Sequence, residues 1–166
     1  ILPKNIMTGI KYLNKIKENI PREDIDEIKE FLLHMTREIN PMLIGIVCGS
    51  YRRGKTTSND VDFILTHCKS ENYLNKFIVE LKNKNFIIES LTSDDVKTKY
   101  MGIFSWKNIL RRIDIRYIDY KSYYSAILYF TGSKDFNKQM RLVALSMNYT
   151  LNEYGLFDNN KKMFDV

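Results

Sequence analysis

Cysteine and histidine are scarce in this chain, with two of each in 166 residues. Cys48 and Cys68 cannot build a disulfide framework, and Cys48 lies at the end of an apolar run, where a thiol behaves as a small buried hydrophobe. His67-Cys68 invites a zinc reading, but His34 is the only other histidine and no metal-ligand spacing accompanies the pair. No apolar run approaches the roughly 18 residues that span a bilayer, and no signal peptide is visible. The expectation is an intracellular, reducing setting without a membrane partner. Proline (three) and glycine (seven) are also few, and repeats, low-complexity tracts and long flexible linkers are absent. The first residue is Ile1 rather than Met, from which a longer N-terminal region is expected.

A hydrophobic content of 44% supports one compact domain or two small lobes. The formal charge of +6 is unevenly placed: residues 1–96 hold 14 basic and 14 acidic side chains, residues 97–166 hold 12 and 6. The whole excess therefore lies in the second part. A basic surface there can release counterions from a phosphate backbone, although a solvated lysine-rich surface has the same composition.

The densest chemistry lies between residues 43 and 62. Leu43-Ile44-Gly45-Ile46-Val47 reads as a buried strand, and Cys48-Gly49-Ser50-Tyr51-Arg52-Arg53-Gly54 follows as a turn. Gly49 lets the backbone bend so that amides can point at a triphosphate, with Ser50 and Arg53 as added donors. Asp60-Val61-Asp62 comes next; side chains two apart on a strand share a face, so both acids point one way while Val61 and Phe63 point to the core. In Arg111-Arg112-Ile113-Asp114-Ile115-Arg116 the same alternation sets Arg112, Asp114 and Arg116 on one face. If the two strands are neighbours, Asp114 joins Asp60 and Asp62. Three carboxylates around a triphosphate suit two magnesium ions, one activating a 3′ hydroxyl and one holding the phosphates and the leaving pyrophosphate. This is the pattern of a nucleotidyltransferase; ordinary solvated acids on an exposed strand face are the alternative.

Elsewhere, Ile25, Ile28, Leu32, Met35 and Ile39 recur at helical spacing after Pro21 and predict a helix lying on the sheet. Ser70 is placed to cap a helix reaching Asn83, with Leu74, Phe77, Ile78 and Leu81 as its stripe, and Phe86-Ile87-Ile88 suits the next strand. Lys99 to Trp106 and Ile109 to Ile118 suit two antiparallel strands. The period becomes helical from Lys121 through Tyr129. A second helix is expected from Asp135 to about Met147, with Phe136, Met140, Val143, Ala144 and Met147 packed and Asn137, Lys138 and Arg141 left on another face. The fold class is α+β, a palm with a mixed or antiparallel sheet and flanking helices, plus a small, mainly helical C-terminal lobe.

Thr8-Gly9-Ile10-Lys11-Tyr12, Ile20-Pro21-Arg22-Glu23, the Gly-Ser turn, Asp-x-Asp and Arg-Arg-Ile-Asp-Ile-Arg closely resemble the X family of DNA polymerases, DNA polymerase beta and its relatives. Tyr129-Phe130-Thr131-Gly132-Ser133, with Asn137, Lys138 and Arg141 after it, and Asn152-Glu153-Tyr154 extend the resemblance along nearly the whole chain. The Gly-Ser turn with Asp-x-Asp marks only a broad superfamily; the Tyr-Phe-Thr-Gly-Ser run narrows it. The resemblance implies residues 1–20 as the end of a DNA-binding helical subdomain, 21–121 as a nucleotidyltransferase palm and 122–166 as a nucleotide- and template-binding lobe that is minimal or incomplete.

It also implies roles. Asp60, Asp62 and Asp114 are the metal-binding catalytic acids, with proton abstraction falling to Asp114. Gly49, Ser50, Arg53 and Ser58 lie on the triphosphate side, and Tyr129, Phe130, Gly132 and Asn137 meet the sugar and base of the incoming nucleotide. Lys99, Arg112, Lys138, Arg141 and Tyr154 contact DNA; Arg116, grouped with them, can pair with a catalytic acid in the open state. Structural readings stand beside several of these: Ser58 as a turn cap, Arg112 and Arg116 as salt-bridge partners, Tyr129-Phe130 and Tyr154 as aromatic core, and Asn137, Lys138 and Arg141 as a polar helix surface. Departures are visible too. No N-terminal lyase domain or helix-hairpin-helix element lies in this chain, Asn59 replaces a glycine, and Lys134 stands where polymerase beta has an acid.

The expected function is therefore templated DNA polymerisation in short-gap repair, with magnesium (or manganese in its place), a deoxynucleoside triphosphate and gapped or primer-template DNA as partners, and a monomeric enzyme. Nucleus and a viral or cytoplasmic replication compartment are not distinguished. Template-independent terminal transfer is the alternative enzyme, and a noncatalytic DNA-binding scaffold the alternative of another class.

Overall fold

A computed structural model describes residues 1–93 and 96–165. After helix α1 (Lys4–Tyr12), the two-residue strand β1 (Ile20–Pro21) leads into α2 (Arg22–Ile39), whose first turn carries Glu23 and Asp24 where the helix dipole favours them. Strand β2 (Leu43–Val47), the helical turn α3 (Gly49–Arg52), the short β3 (Thr57–Ser58), β4 (Val61–His67) and α4 (Leu74–Asn83) follow. Then come β5 (Ile87–Ser90), β6 (Lys99–Trp106) and β7 (Ile109–Tyr117), a 3-10 turn (Tyr120–Ser122), helices α5 (Tyr123–Thr131) and α6 (Lys134–Ser146), and the hairpin β8 (Thr150–Asn152) and β9 (Gly155–Phe157).

The main sheet has the order β2-β4-β7-β6-β5; β4 and β7 run parallel and the other neighbours antiparallel. Its two faces follow from the period of two. Val61, Phe63 and Leu65 of β4 and Ile113 and Ile115 of β7 are sealed beneath α2 and α4, which contribute Ile25, Ile28, Leu32, Leu74, Phe77 and Leu81. Phe63 and Phe77 stack with centroids 5.7 Å apart. On the opposite face, Ile64 is covered by Tyr123 and Ala126 of α5, while Asp62, Asp114 and Arg116 lie beyond that cover and stay half-buried.

The structure corrects three sequence expectations. Leu43–Val47 is a strand, but an edge strand: Leu43 and Val47 are buried, whereas Ile44 and Ile46 are only half-buried because, among the described residues, no strand flanks β2 on its outer side. The helix before Asn83 begins at Leu74, not Ser70; the Asn72 side chain accepts from Leu74 N at 2.9 Å, while Ser70 Oγ accepts from Tyr120 N. In α6, the expected stripe is largely in solvent. Phe136, Val143 and Met147 are exposed and only Ala144 is buried, because the face turned toward α5 and β8 is that of Asn137, Met140 and Ala144.

Candidate active site

Asp62 and Asp114 are direct partners in the parallel β4–β7 register, so their side chains emerge together on the open face. Asp60 lies in the bend just before β4. The Gly49 turn is bound to this strand by Cys48 N, which donates to Asp62 O at 2.7 Å. Gly49 has φ +64, a left-handed conformation in which a side chain is strained, and Asp62 Cβ lies 3.5 Å from where its Cβ would stand. Ser50 and Ser58 are hydrogen-bonded to each other at 2.7 Å. The turn is anchored from behind: Arg22 donates to Tyr51 O at 2.7 Å and stacks on the Tyr51 ring, whose hydroxyl bonds Asp26.

Positive charge already stands among the acids. Arg116 Nη1 donates to Asp62 and its Nη2 lies 3.8 Å from Asp114, while Arg112 Nη2 is 3.4 Å from Asp114. Even so, burial first, outweighing Arg116 and aided by Asp114 and Asp60, pushes the Asp62 carboxyl up to about 6. Burial, then repulsion from Asp114, also raises Asp60. Among the described residues no group of three His, Cys, Asp or Glu side chains is arranged to hold a metal ion. The donor types nevertheless suit a hard divalent cation: Asp60, Asp62 and Asp114 are three oxygen donors in one half-buried patch, and burial together with their mutual repulsion raises Asp60 and Asp62 despite the neighbouring arginines.

The C-terminal lobe closes one side. Arg53 Nη1 donates to Thr131 O at 2.8 Å, Arg52 Nη1 donates to Thr131 Oγ1 at 3.0 Å, and a Cβ on Gly132 would lie 3.3 Å from Arg53. Gly132 has φ +68, and the Gly132–Ser133 peptide is cis. Phe130 lies under the Arg116 guanidinium, 4.3 Å from centroid to carbon, and edge-on to Tyr129. Asn137 Nδ2 donates to Tyr129 O at 2.7 Å; Arg141 stacks on Tyr129 and lies 3.6 Å from Glu153. Lys99 and Tyr154 line, with Arg116 and Phe130, a cleft of about 570 Å³ beside the acids.

The structure thus gathers Gly49, Ser50, Ser58, Arg53, the three acids, Arg112, Arg116, Phe130 and Gly132 in one place. Asn137 and Arg141 are turned onto their own lobe, and Lys138 is exposed. Sequence reasoning did not single out Arg52, Thr131 or Arg111. The alternation of β7 does set Arg111 on the core side with Ile113; it is buried there and donates to the carbonyls of Lys17 and Glu18, fastening the segment before β1 alongside β7.

Comparison with known proteins agrees with this geometry. The family model for DNA polymerase beta palm matches residues 19–120 and that for DNA polymerase beta thumb matches residues 126–166. DNA polymerase lambda of Rattus norvegicus is 32% identical over 89% of this chain, and DNA polymerase lambda of Arabidopsis thaliana 35% over 90%. DNA nucleotidylexotransferase of Xenopus laevis is 25% identical over 98%. The chain spans only 27%, 31% and 40% of the lengths of these three. With a palm match over more than half of its length and a thumb match at residues 126–166, the chain belongs to the X family of DNA polymerases, the family of DNA polymerase beta.

Proposed function

We propose that this chain is the nucleotidyl-transfer core of a templated DNA polymerase, adding a deoxynucleotide to a primer 3′ hydroxyl at a short gap. The observation that carries the reading is the register pairing of Asp62 with Asp114 beside Asp60 and the Gly49 turn. Asp60, Asp62 and Asp114 would hold two divalent ions, magnesium or manganese, which supply activation of the hydroxyl and charge neutralisation on the departing pyrophosphate. Asp114 takes the hydroxyl proton. Backbone amides of the Gly49 turn, Ser50 and Arg53 receive the triphosphate, the Ser50 hydroxyl turning its proton from Ser58 Oγ, to which it donates in this structure, toward the phosphate. Tyr129, Phe130 and Gly132 bound the sugar, and the basic residues Lys99, Arg112 and Lys138 meet DNA, joined by Arg141 once it leaves Glu153 and the Tyr129 ring. Arg116 holds Asp62 and lies beside Asp114, so that two half-buried carboxylates do not face one another uncompensated.

The decisive experiment is incorporation of each of the four deoxynucleotides by the isolated chain on a one-nucleotide gap, with and without a downstream 5′ phosphate, in magnesium. Selection of the complementary nucleotide supports the reading. Incorporation without regard to template supports terminal transfer, the second reading, which the likeness to the Xenopus laevis transferase favours. DNA binding with no incorporation of any nucleotide overturns both in favour of a scaffold.

A further inference from the structure

Two adjacent arginines hold a single residue across the two lobes. Arg53 bonds the Thr131 carbonyl and Arg52 bonds the Thr131 hydroxyl. Thr131 is the last residue of α5, immediately before Gly132. Among the described residues neither arginine has a carboxylate partner, so both grips are charge-assisted bonds to neutral oxygens. The grips differ in what can replace them. A triphosphate on the Gly49 turn offers Arg53 an anion, a stronger acceptor than a carbonyl. Arg52 projects from the helical turn α3, and its bond goes to a side chain rather than to the backbone of the Gly132 turn.

We propose that Arg52 is a positioning residue that keeps the Gly132 turn docked against the Gly49 turn through Thr131 while Arg53 transfers from the Thr131 carbonyl to the bound triphosphate. The inference rests on the reading of Arg53 as a phosphate ligand. It divides two neighbouring cations of one turn between two tasks: Arg53 binds nucleotide, and Arg52 holds the surface that covers it. Loss of the grip leaves α5 packed through Tyr123 and Ala126 but frees its last turn, so nucleotide binding has to re-form the docking each time.

The test compares Arg52→Ala, Arg52→Lys, Thr131→Val, Thr131→Ser and the double variant Arg52→Ala/Thr131→Val. For each, the KM for the matched deoxynucleotide and kcat on gapped DNA, the Kd for that DNA, and the shift in Tm produced by a deoxynucleoside triphosphate with magnesium are measured. Arg52→Ala and Thr131→Val should each raise KM about tenfold, the size of one charge-assisted hydrogen bond, with the DNA Kd unchanged. The double variant should be no worse than either single one, since both remove the same bond. Thr131→Ser keeps the hydroxyl and should stay within about twofold of wild type; Arg52→Lys keeps charge without the planar fork and should fall between. Additive losses in the double variant, a wild-type KM in Thr131→Val, or parallel weakening of DNA binding would overturn the proposal. If the wild type incorporates nothing yet its triphosphate-induced Tm shift shows the same non-additive loss, the polymerase reading fails and the positioning role stands. Absence of both incorporation and that Tm shift overturns both.

Discussion

Helices α2 and α6 both carry apolar residues at helical spacing, yet they are held in different ways. Ile25, Ile28, Leu32 and Met35 of α2 are fully buried on the sheet, whereas α6 buries Ala144 alone and leaves Phe136, Leu142, Val143, Leu145 and Met147 exposed. Polar bonds dominate the links made by α6 and its neighbours: Asn137 to Tyr129, Arg141 to Glu153, Arg52 and Arg53 to Thr131. Apolar burial is non-directional and cumulative, so it fixes the palm as a rigid frame for the acids. A few directional bonds at a surface can be exchanged for bonds to a ligand at little net cost, which suits a lobe that closes on a nucleotide, as the proposed function has it.

The strongest challenge to this contrast is at the acids. Asp114→Ala should lower single-turnover incorporation on the order of a thousandfold, comparable to loss of a principal electrostatic stabiliser, while leaving the circular dichroism spectrum unchanged. Asp114 is on the open face of β7 and contributes nothing to the α2–α4 core. Retention of a tenth of wild-type turnover would remove Asp114 from the chemistry. A truncation in the frame should act on folding instead. Phe77→Ala, which removes the ring stacked on Phe63, should cost about 3–5 kcal/mol in urea unfolding. A loss below about 1 kcal/mol would mean that the palm is not the rigid part.

The period of two placed the acids on one face and their neighbours in the core, and it did so from residues alone, because burial on one side of a sheet leaves its mark at every second position. What alternation cannot give is which strands pair. β4 and β7 are separated in sequence by α4, β5 and β6, and their parallel register is set by tertiary packing. The α6 stripe misled for a related reason: spacing shows which residues share a face but not whether anything covers it. Asn137 occupies the packed side because its amide satisfies the Tyr129 carbonyl there. Arg52 was hidden beside Arg53, since two adjacent arginines look alike until their acceptors are known.

The acids sharpen the contrast in a second way, because they weaken the frame that carries them. Asp62, raised to about 6 from 3.8, binds its proton more tightly folded than unfolded. Its charge therefore costs folding stability above pH 6, and the cost disappears as pH falls through about 6 toward 4. Without divalent metal, Asp62→Asn should be more stable than wild type at pH 8 by on the order of 2 kcal/mol, and equal to it near pH 4. Magnesium should raise the Tm of wild type and not of the variant. Equal melting temperatures at pH 8, in the absence of metal, would show that Arg116 compensates Asp62 fully.

The smallest expected effect is on α6 itself. Val143 is 59% exposed and touches no core cluster, so Val143→Ser should change stability by less than about 0.5 kcal/mol, near the floor for surface positions. The next residue, Ala144, is 7% exposed against α5 and β8, and Ala144→Leu should cost about 1–3 kcal/mol by overpacking. Urea unfolding of both variants decides between the two faces. A cost above 1 kcal/mol for Val143→Ser with little for Ala144→Leu would mean that the apolar stripe of α6 is the buried one after all, that the lobe is held as the palm is, and that the exchange of directional bonds does not govern its closing.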